Sequence, residues 1–225
     1  MKIRETLEKL KNDKLKDFSS KLCFTKYEML GVSIVKLREI AKKFSEDEKK
    51  TYLNIDLKDK TFEEIMLYGL ILGYSKLSFD EFLIYFYKFL PFIDNWSVCD
   101  SVVLSFKILK DNKELFLSHL DKLFLSKDEF TLRVAFVILL GFYLTDEYID
   151  YVLEKCEQVL SGFYYVNMAK AWLLSVSFIK YKEKTFDFLK ITKIDNFTVN
   201  KTISKIRDSL RVSSIDKERV LSLKR

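Results

Sequence analysis

Trp96 and Asp100 stand four residues apart in Asp94-Asn95-Trp96-Ser97-Val98-Cys99-Asp100. On a helix that spacing projects an indole and a carboxylate from one side, a turn apart. A second segment, Phe163-Tyr164-Tyr165-Val166-Asn167-Met168-Ala169-Lys170-Ala171-Trp172, sets Tyr164 or Tyr165 two turns before Trp172 along one face. Indole faces attract cations, and a fixed carboxylate stabilises developing positive charge. Together these residues suit a flat or cationic partner. Each also has an ordinary packing explanation. A Trp-x-x-x-Asp pair is commonly a core indole with a surface or capping acid, Trp172 lies in an apolar stretch, and Phe163, Tyr164 and Tyr165 suit a helix start. Arg133, within Thr131-Leu132-Arg133-Val134-Ala135-Phe136, is harder to dismiss, because an arginine among apolar neighbours calls for a carboxylate or a phosphate.

Other chemistries are set aside by what is missing. His119 is the single histidine, so histidine zinc sites and Ser-His-Asp catalysis are not expected, and His119 itself reads as structural or superficial. Cys23, Cys99 and Cys156 are odd in number and far apart, as suits reduced buried thiols rather than a disulfide framework. Neither Gly-x-x-x-x-Gly-Lys nor Gly-x-Gly-x-x-Gly occurs, which removes the common nucleotide cradles. No metal and no cofactor are expected.

Helices must position the candidate residues. Five glycines and one proline, Pro91, in 225 residues leave too little turn chemistry for a β-sandwich or a long linker. Apolar spacing of three and four predicts helices near 2–12, 14–22, 33–44, 47–54, 61–74, 78–89, 94–109, 112–123, 128–143, 146–160, 163–180, 182–191, 198–210 and 214–223. Ser78 before Phe79-Asp80-Glu81, Thr145 before Asp146-Glu147, and Thr61 with Glu64 supply start signals. Gly73 and Gly162 fall at or beside helix ends. Short helices with short connections fold back as antiparallel pairs. The expected architecture is all-α, a single domain over 1–225 forming an α-α superhelix, a HEAT-like solenoid of antiparallel helix pairs; a compact orthogonal bundle is the alternative.

The net charge of +6 is uneven. Residues 180–225 hold 13 Lys and Arg against 6 Asp and Glu, the balance a polyanion-binding surface needs, although a solvated lysine face would show it too. The longest apolar run, Val134–Leu144, is well short of the roughly 20 residues that cross a bilayer. The charged, amphipathic start does not read as a leader. A cytoplasmic protein without a membrane partner is expected.

Several segments together resemble the DNA alkylation repair glycosylases of the AlkD type, bacterial proteins built of HEAT-like helical pairs. The matching pieces are residues 31–42, Gly31-Val32-Ser33 through Lys42; Asp94 to Asp100; Leu132-Arg133-Val134-Ala135; Phe163 to Trp172; and the tail 201–213, Lys201-Thr202-Ile203-Ser204-Lys205-Ile206-Arg207-Asp208-Ser209-Leu210-Arg211-Val212-Ser213. The resemblance spreads over nearly the whole chain and rests on order and spacing rather than on one diagnostic motif. It implies removal of positively charged N3- or N7-alkylpurines from duplex DNA by cleavage of the N-glycosidic bond, without flipping the lesion into a pocket. By position, Trp96 and Trp172 would line the lesion, Asp100 would be the catalytic carboxylate, and Arg133 would contact a phosphate. Tyr164 and Tyr165 fall where the family has aromatic residues, and Lys170, Lys205 and Arg211 would add DNA contacts. A monomer associated with the bacterial nucleoid is implied. Where the family has a basic residue one turn after the second indole, this chain has Ser175.

The residues suffice for that chemistry. A cationic purine is already a good leaving group, so the site needs negative potential near the sugar more than acid catalysis, and one carboxylate beside indole faces supplies it. Cation-π attraction of about 0.5–2 kcal/mol per contact favours a charged lesion over a neutral base, and the carboxylate could also align a water. Two other functions stay open: a HEAT-type DNA-binding protein that recognises damaged or branched DNA without excision, and a protein-interaction scaffold.

Overall fold

The computed structural model describes residues 3–225, and all of its regular structure is helical. Lys2, the first residue of the first predicted helix, lies outside the described residues. The helices are α1 (Ile3–Lys9), α2 (Asp13–Leu22), α3 (Ile34–Lys43), α4 (Glu46–Leu53), α5 (Phe62–Tyr74), α6 (Phe79–Phe89), α7 (Trp96–Val103), α8 (Lys113–Phe124), α9 (Glu129–Ile138), α10 (Ile149–Gln158), α11 (Tyr164–Lys180), α12 (Lys182–Ile191), α13 (Asn196–Asp208) and α14 (Ser214–Arg219). Each predicted helix has its counterpart. The chain forms two compact units, Met1–Phe116 and Leu117–Arg225.

Within the first unit α3, α5 and α7 lie side by side, and α4 and α6 pack against α5. Within the second, α9, α11 and α13 lie side by side, and α10 and α12 pack against α11. Alternate helices thus share a layer, and each returns to it through an intervening helix, which is the all-α arrangement of helical pairs that stack on their neighbours. Aromatic side chains fill the first unit: Tyr68 stacks on Phe89 with centroids 5.6 Å apart, and Phe82 meets Phe106 edge-on at 5.3 Å. Burial of each such ring contributes about 1.5–3 kcal/mol. Gly69 and Gly73 let α5 come this close: a Cβ at Gly69 would lie 2.4 Å from Val102 Cγ1, and one at Gly73 2.0 Å from Ser105 Oγ.

Helix starts follow their caps. Thr61 with Glu64 and Ser78 with Glu81 form complete capping boxes. Thr145 acts differently from its expected role. Its carbonyl accepts the Tyr148 and Ile149 N–H groups in a turn, so α10 begins at Ile149. The predicted 94–109 helix stops at Val103, where Ser105 returns its hydroxyl to the Val102 carbonyl at 2.6 Å, and resumes as a 3-10 turn, Lys107–Lys110. The predicted 128–143 helix widens after Ile138 into a π-helical turn, Leu139–Tyr143. Cys23, Cys99 and Cys156 are buried thiols not joined in a disulfide, as expected.

Glu63 fixes the segment between α2 and α3. It is 1% exposed, and its carboxylate accepts the N–H groups of Leu30 (2.9 Å), Gly31 (2.7 Å) and Val32 (3.2 Å). Gly31 has φ +82°, and a Cβ there would lie 2.2 Å from the Asn12 carbonyl oxygen, so position 31 requires glycine. The carboxylate fills a concavity of amides that would otherwise be buried without acceptors.

Candidate functional site

In the first unit Asn95 caps α7, its Oδ1 accepting the Val98 N–H at 2.9 Å and the Cys23 thiol at 3.1 Å. Asp94 holds the other side of the same loop, accepting the Thr25 hydroxyl at 2.8 Å and the Lys26 N–H at 2.8 Å. With Glu63 at residues 30–32, the loop is pinned at both ends. Trp96, the first residue of α7, then donates its indole Nε1–H to the carbonyl of Leu22 at 3.1 Å. Leu22 ends α2, where carbonyls lack intrahelical donors, so the indole serves as a C-terminal cap from outside the helix. Trp96 and Asp100 are both half-buried, one turn apart on α7, while Val98 and Cys99 between them face the core. The i, i+4 placement of indole and carboxylate on one helix is therefore present.

The helix that Trp96 caps is unusual. No residue of α2 is buried, and Phe18, Leu22 and, just beyond, Phe24 are exposed among Lys14, Lys16 and Lys21. Tyr27 belongs to the loop between α2 and α3, and burial, then the charge of Asp94, push its phenol up to about 12.

In the second unit the first turn of α11 has no side-chain cap of its own. Glu129 on α9 supplies one, Oε1 accepting the Tyr165 N–H at 2.7 Å. Arg133, one turn along α9, donates Nη1–H to the Tyr165 carbonyl at 2.6 Å. Arg133 is only 6% exposed. One partner of its guanidinium is thus a peptide carbonyl, an acceptor the sequence did not suggest. Tyr164, held beside Tyr165, is 55% exposed, with the two rings edge-to-face at 5.3 Å. Trp172 is half-buried farther along α11. Neither indole is sealed in the interior.

Of the four basic positions expected to contact DNA, Arg133 and Lys170 are both buried. Lys170 is 1% exposed; its ammonium donates to the Val159 carbonyl and lies 5.6 Å from the Phe136 ring centroid. Burial lowers its pKa, with Cys156, Asp195 and Glu157 opposing that shift. Buried this way the ammonium does not reach a phosphate, so the expected DNA contact is replaced by an internal one. Lys205 is half-buried in the last turn of α13 and Arg211 is exposed in the turn that follows. Ser175 is buried, with Oγ donating to the Trp172 carbonyl at 2.7 Å, so it offers nothing in place of the family's basic residue. His119 is half-buried, and its pKa is lowered by burial and by Lys122. Among the described residues no group of three or more His, Cys, Asp or Glu side chains could hold a metal ion, and no helix is long and apolar enough to cross a membrane.

Trp96 and Asp100 thus sit one turn apart on α7 in the first unit, and Arg133 is bonded to Tyr165, whose ring lies beside that of Tyr164, in the second. Sequence reading missed Glu129, whose signal was its opposite charge one turn before Arg133. It also missed Phe197, the second residue of α13, whose ring lies 5.8 Å from that of Tyr164; an aromatic residue in a helix's first turn was the available sign.

The family model described as DNA alkylation repair enzyme matches residues 3–206 of the chain. That span includes Trp96, Asp100, Arg133, Tyr164, Tyr165, Trp172 and Lys205, and stops short of Arg211. A search of curated proteins finds no match.

Proposed function

Because the chain belongs to the DNA alkylation repair enzyme family, we propose that its DNA alkylation repair role is that of a glycosylase, excising N3- and N7-alkylpurines from duplex DNA without a metal or cofactor. The observation that carries this reading is the pairing on α7 of a half-buried indole, fixed through Nε1 to the Leu22 carbonyl, with a half-buried carboxylate one turn on. The cationic purine lies against the Trp96 indole face, which favours it over a neutral base. As the glycosidic bond breaks, its electron pair leaves with the purine and neutralises the ring. The sugar becomes an oxocarbenium ion, which the Asp100 carboxylate stabilises. A water aligned by the same carboxylate adds to the sugar carbon and gives up a proton.

In the second unit Trp172 and Tyr164 offer further aromatic surface on α11 to DNA. Arg133 contributes by holding the Tyr165 peptide and so the first turn of α11, while Lys205 and Arg211 neutralise backbone phosphates. Alkylated duplex DNA incubated with the protein is expected to release 7-methylguanine or 3-methyladenine. Asp100→Asn is expected to abolish release while thermal melting and DNA affinity stay near wild type. Absence of base release by the wild-type protein would remove the proposal.

One observation favours a second reading, a DNA-binding protein that recognises damage without excision. The positions of Lys170 and Ser175 give no exposed cation near Trp172 on α11. Salt-dependent DNA binding that survives Asp100→Asn, with no free base from either protein, would support it.

A further inference from the structure

Four aromatic rings form a chain along one edge of the second unit. Phe130 is the second residue of α9, Tyr164 and Tyr165 are the first two of α11, and Phe197 is the second of α13. Successive centroids are 5.4 Å (Phe130–Tyr165), 5.3 Å (Tyr165–Tyr164) and 5.8 Å (Tyr164–Phe197) apart. The far end is open to solvent: Tyr164 is 55% and Phe197 39% exposed, with Phe163 exposed beside them. The last two rings tilt by 49°, so they do not cover each other. Beyond them the surface becomes basic. Lys201, one turn after Phe197, sets its ammonium 5.7 Å from that ring's centroid, and Lys205 follows at the same spacing. A contiguous exposed aromatic surface rimmed by cations is not needed for packing and marks a binding surface.

We propose that Tyr164 and Phe197 form a stacking platform for an unpaired nucleobase, with Lys201 taking the adjoining phosphate. The chain then prefers duplex DNA that carries an unpaired nucleotide over a fully paired duplex. In a paired duplex both faces of each internal base are covered by neighbouring bases; an unpaired nucleotide exposes a π-face, which any base can offer to an aromatic ring. The cation at the rim supplies the charge complement that a purely apolar partner would not use. This inference rests on the reading that the chain binds DNA, and extends it by naming the form of DNA preferred.

The test is the affinity of the full chain for one duplex sequence, blunt and with a single-nucleotide bulge, measured by fluorescence anisotropy over a range of salt. Wild type is expected to bind the bulged duplex roughly tenfold more tightly. Phe197→Leu keeps apolar volume but not the ring, and is expected to abolish that preference with blunt-duplex affinity and melting temperature unchanged. Tyr164→Leu is expected to lose the preference as well. Lys201→Gln is expected to lower the salt dependence on the bulged duplex by a log–log slope of about 1. Equal wild-type affinity for the two duplexes, or a preference that survives both leucine variants, would overturn the platform while leaving duplex binding and base excision intact. Binding to neither duplex would remove the DNA reading and the platform with it.

Discussion

Glu129 and Arg133, one turn apart on α9, hold the two poles of one residue: the carboxylate accepts the Tyr165 N–H at 2.7 Å and the guanidinium donates to the Tyr165 carbonyl at 2.6 Å. Opposite charges thus complement a backbone dipole across a helix–helix contact, where α11 has no side-chain cap. The surface that carries Tyr164 is thereby set by a buried guanidinium and a half-buried carboxylate.

Arg133→Ala is therefore expected to act through structure first. It leaves a buried carbonyl with one donor fewer and the Glu129 charge without its neighbour, a loss of about 2–3 kcal/mol, read as a lower urea midpoint. Arg133→Lys should recover part of the stability, since a single ammonium lacks the fork. If Arg133→Ala melted like wild type while DNA binding failed, the arginine would be a direct phosphate ligand and not a positioning residue.

Two tryptophans, both half-buried, make binding visible without a label. Trp172→Phe isolates Trp96, and its emission is expected to quench on adding alkylated duplex. Trp96→Phe, which deletes the Nε1–H bond to Leu22, is expected to loosen the end of α2, giving faster amide exchange across residues 13–22 with little change in the core. Unaltered exchange there would show that the indole does not hold α2.

Glu63→Gln keeps shape but removes the charge and turns an N–H donor toward amide donors. With three N–H groups sharing the wild-type carboxylate, the expected loss is roughly 3 kcal/mol. Chemical denaturation measures it directly, and a change under about 0.5 kcal/mol, the range of neutral surface substitutions, would mean that water replaces the carboxylate.

Lys170 predicts a rise of stability with pH. Burial lowers its folded pKa below the ordinary value of 10.5. Between the two values the unfolded chain holds more protons than the folded one, so stability climbs as pH rises through the folded value toward 10.5. Below the folded pKa this contribution is constant and at its least favourable. Urea midpoints from pH 7 to 10 should show the climb, and Lys170→Met should flatten it. Asp121 works at the other end of the scale. Its carboxyl is held down by the Lys155 ammonium at 2.8 Å and the Tyr151 hydroxyl at 3.0 Å. That contribution is present above the ordinary carboxylate pKa and disappears as pH falls through the lower folded value, so Asp121→Asn should reduce the acid-side loss.

Local chemistry made the helices legible. Periodic apolar residues, the Ser78 and Thr61 capping boxes and the scarcity of Gly and Pro are all contained within a few residues of chain, and they determined an all-α fold and most helix starts. The i, i+4 spacing of Trp96 and Asp100 carried through for the same reason, since both lie on one helix. Burial of a charge could not be read this way. Lys170 looks like a surface cation in sequence and Arg133 like one awaiting a carboxylate or a phosphate, and only the packing of α9 and α10 against α11 brought the Val159 and Tyr165 carbonyls to them. The interruption after Val103 falls where Ser105 lies against Gly73 of α5, a contact between segments distant in sequence. Propensity acts over one turn of chain, whereas desolvation and long-range hydrogen bonding depend on segments far apart in sequence, so the first was written in the residues and the second only in the fold.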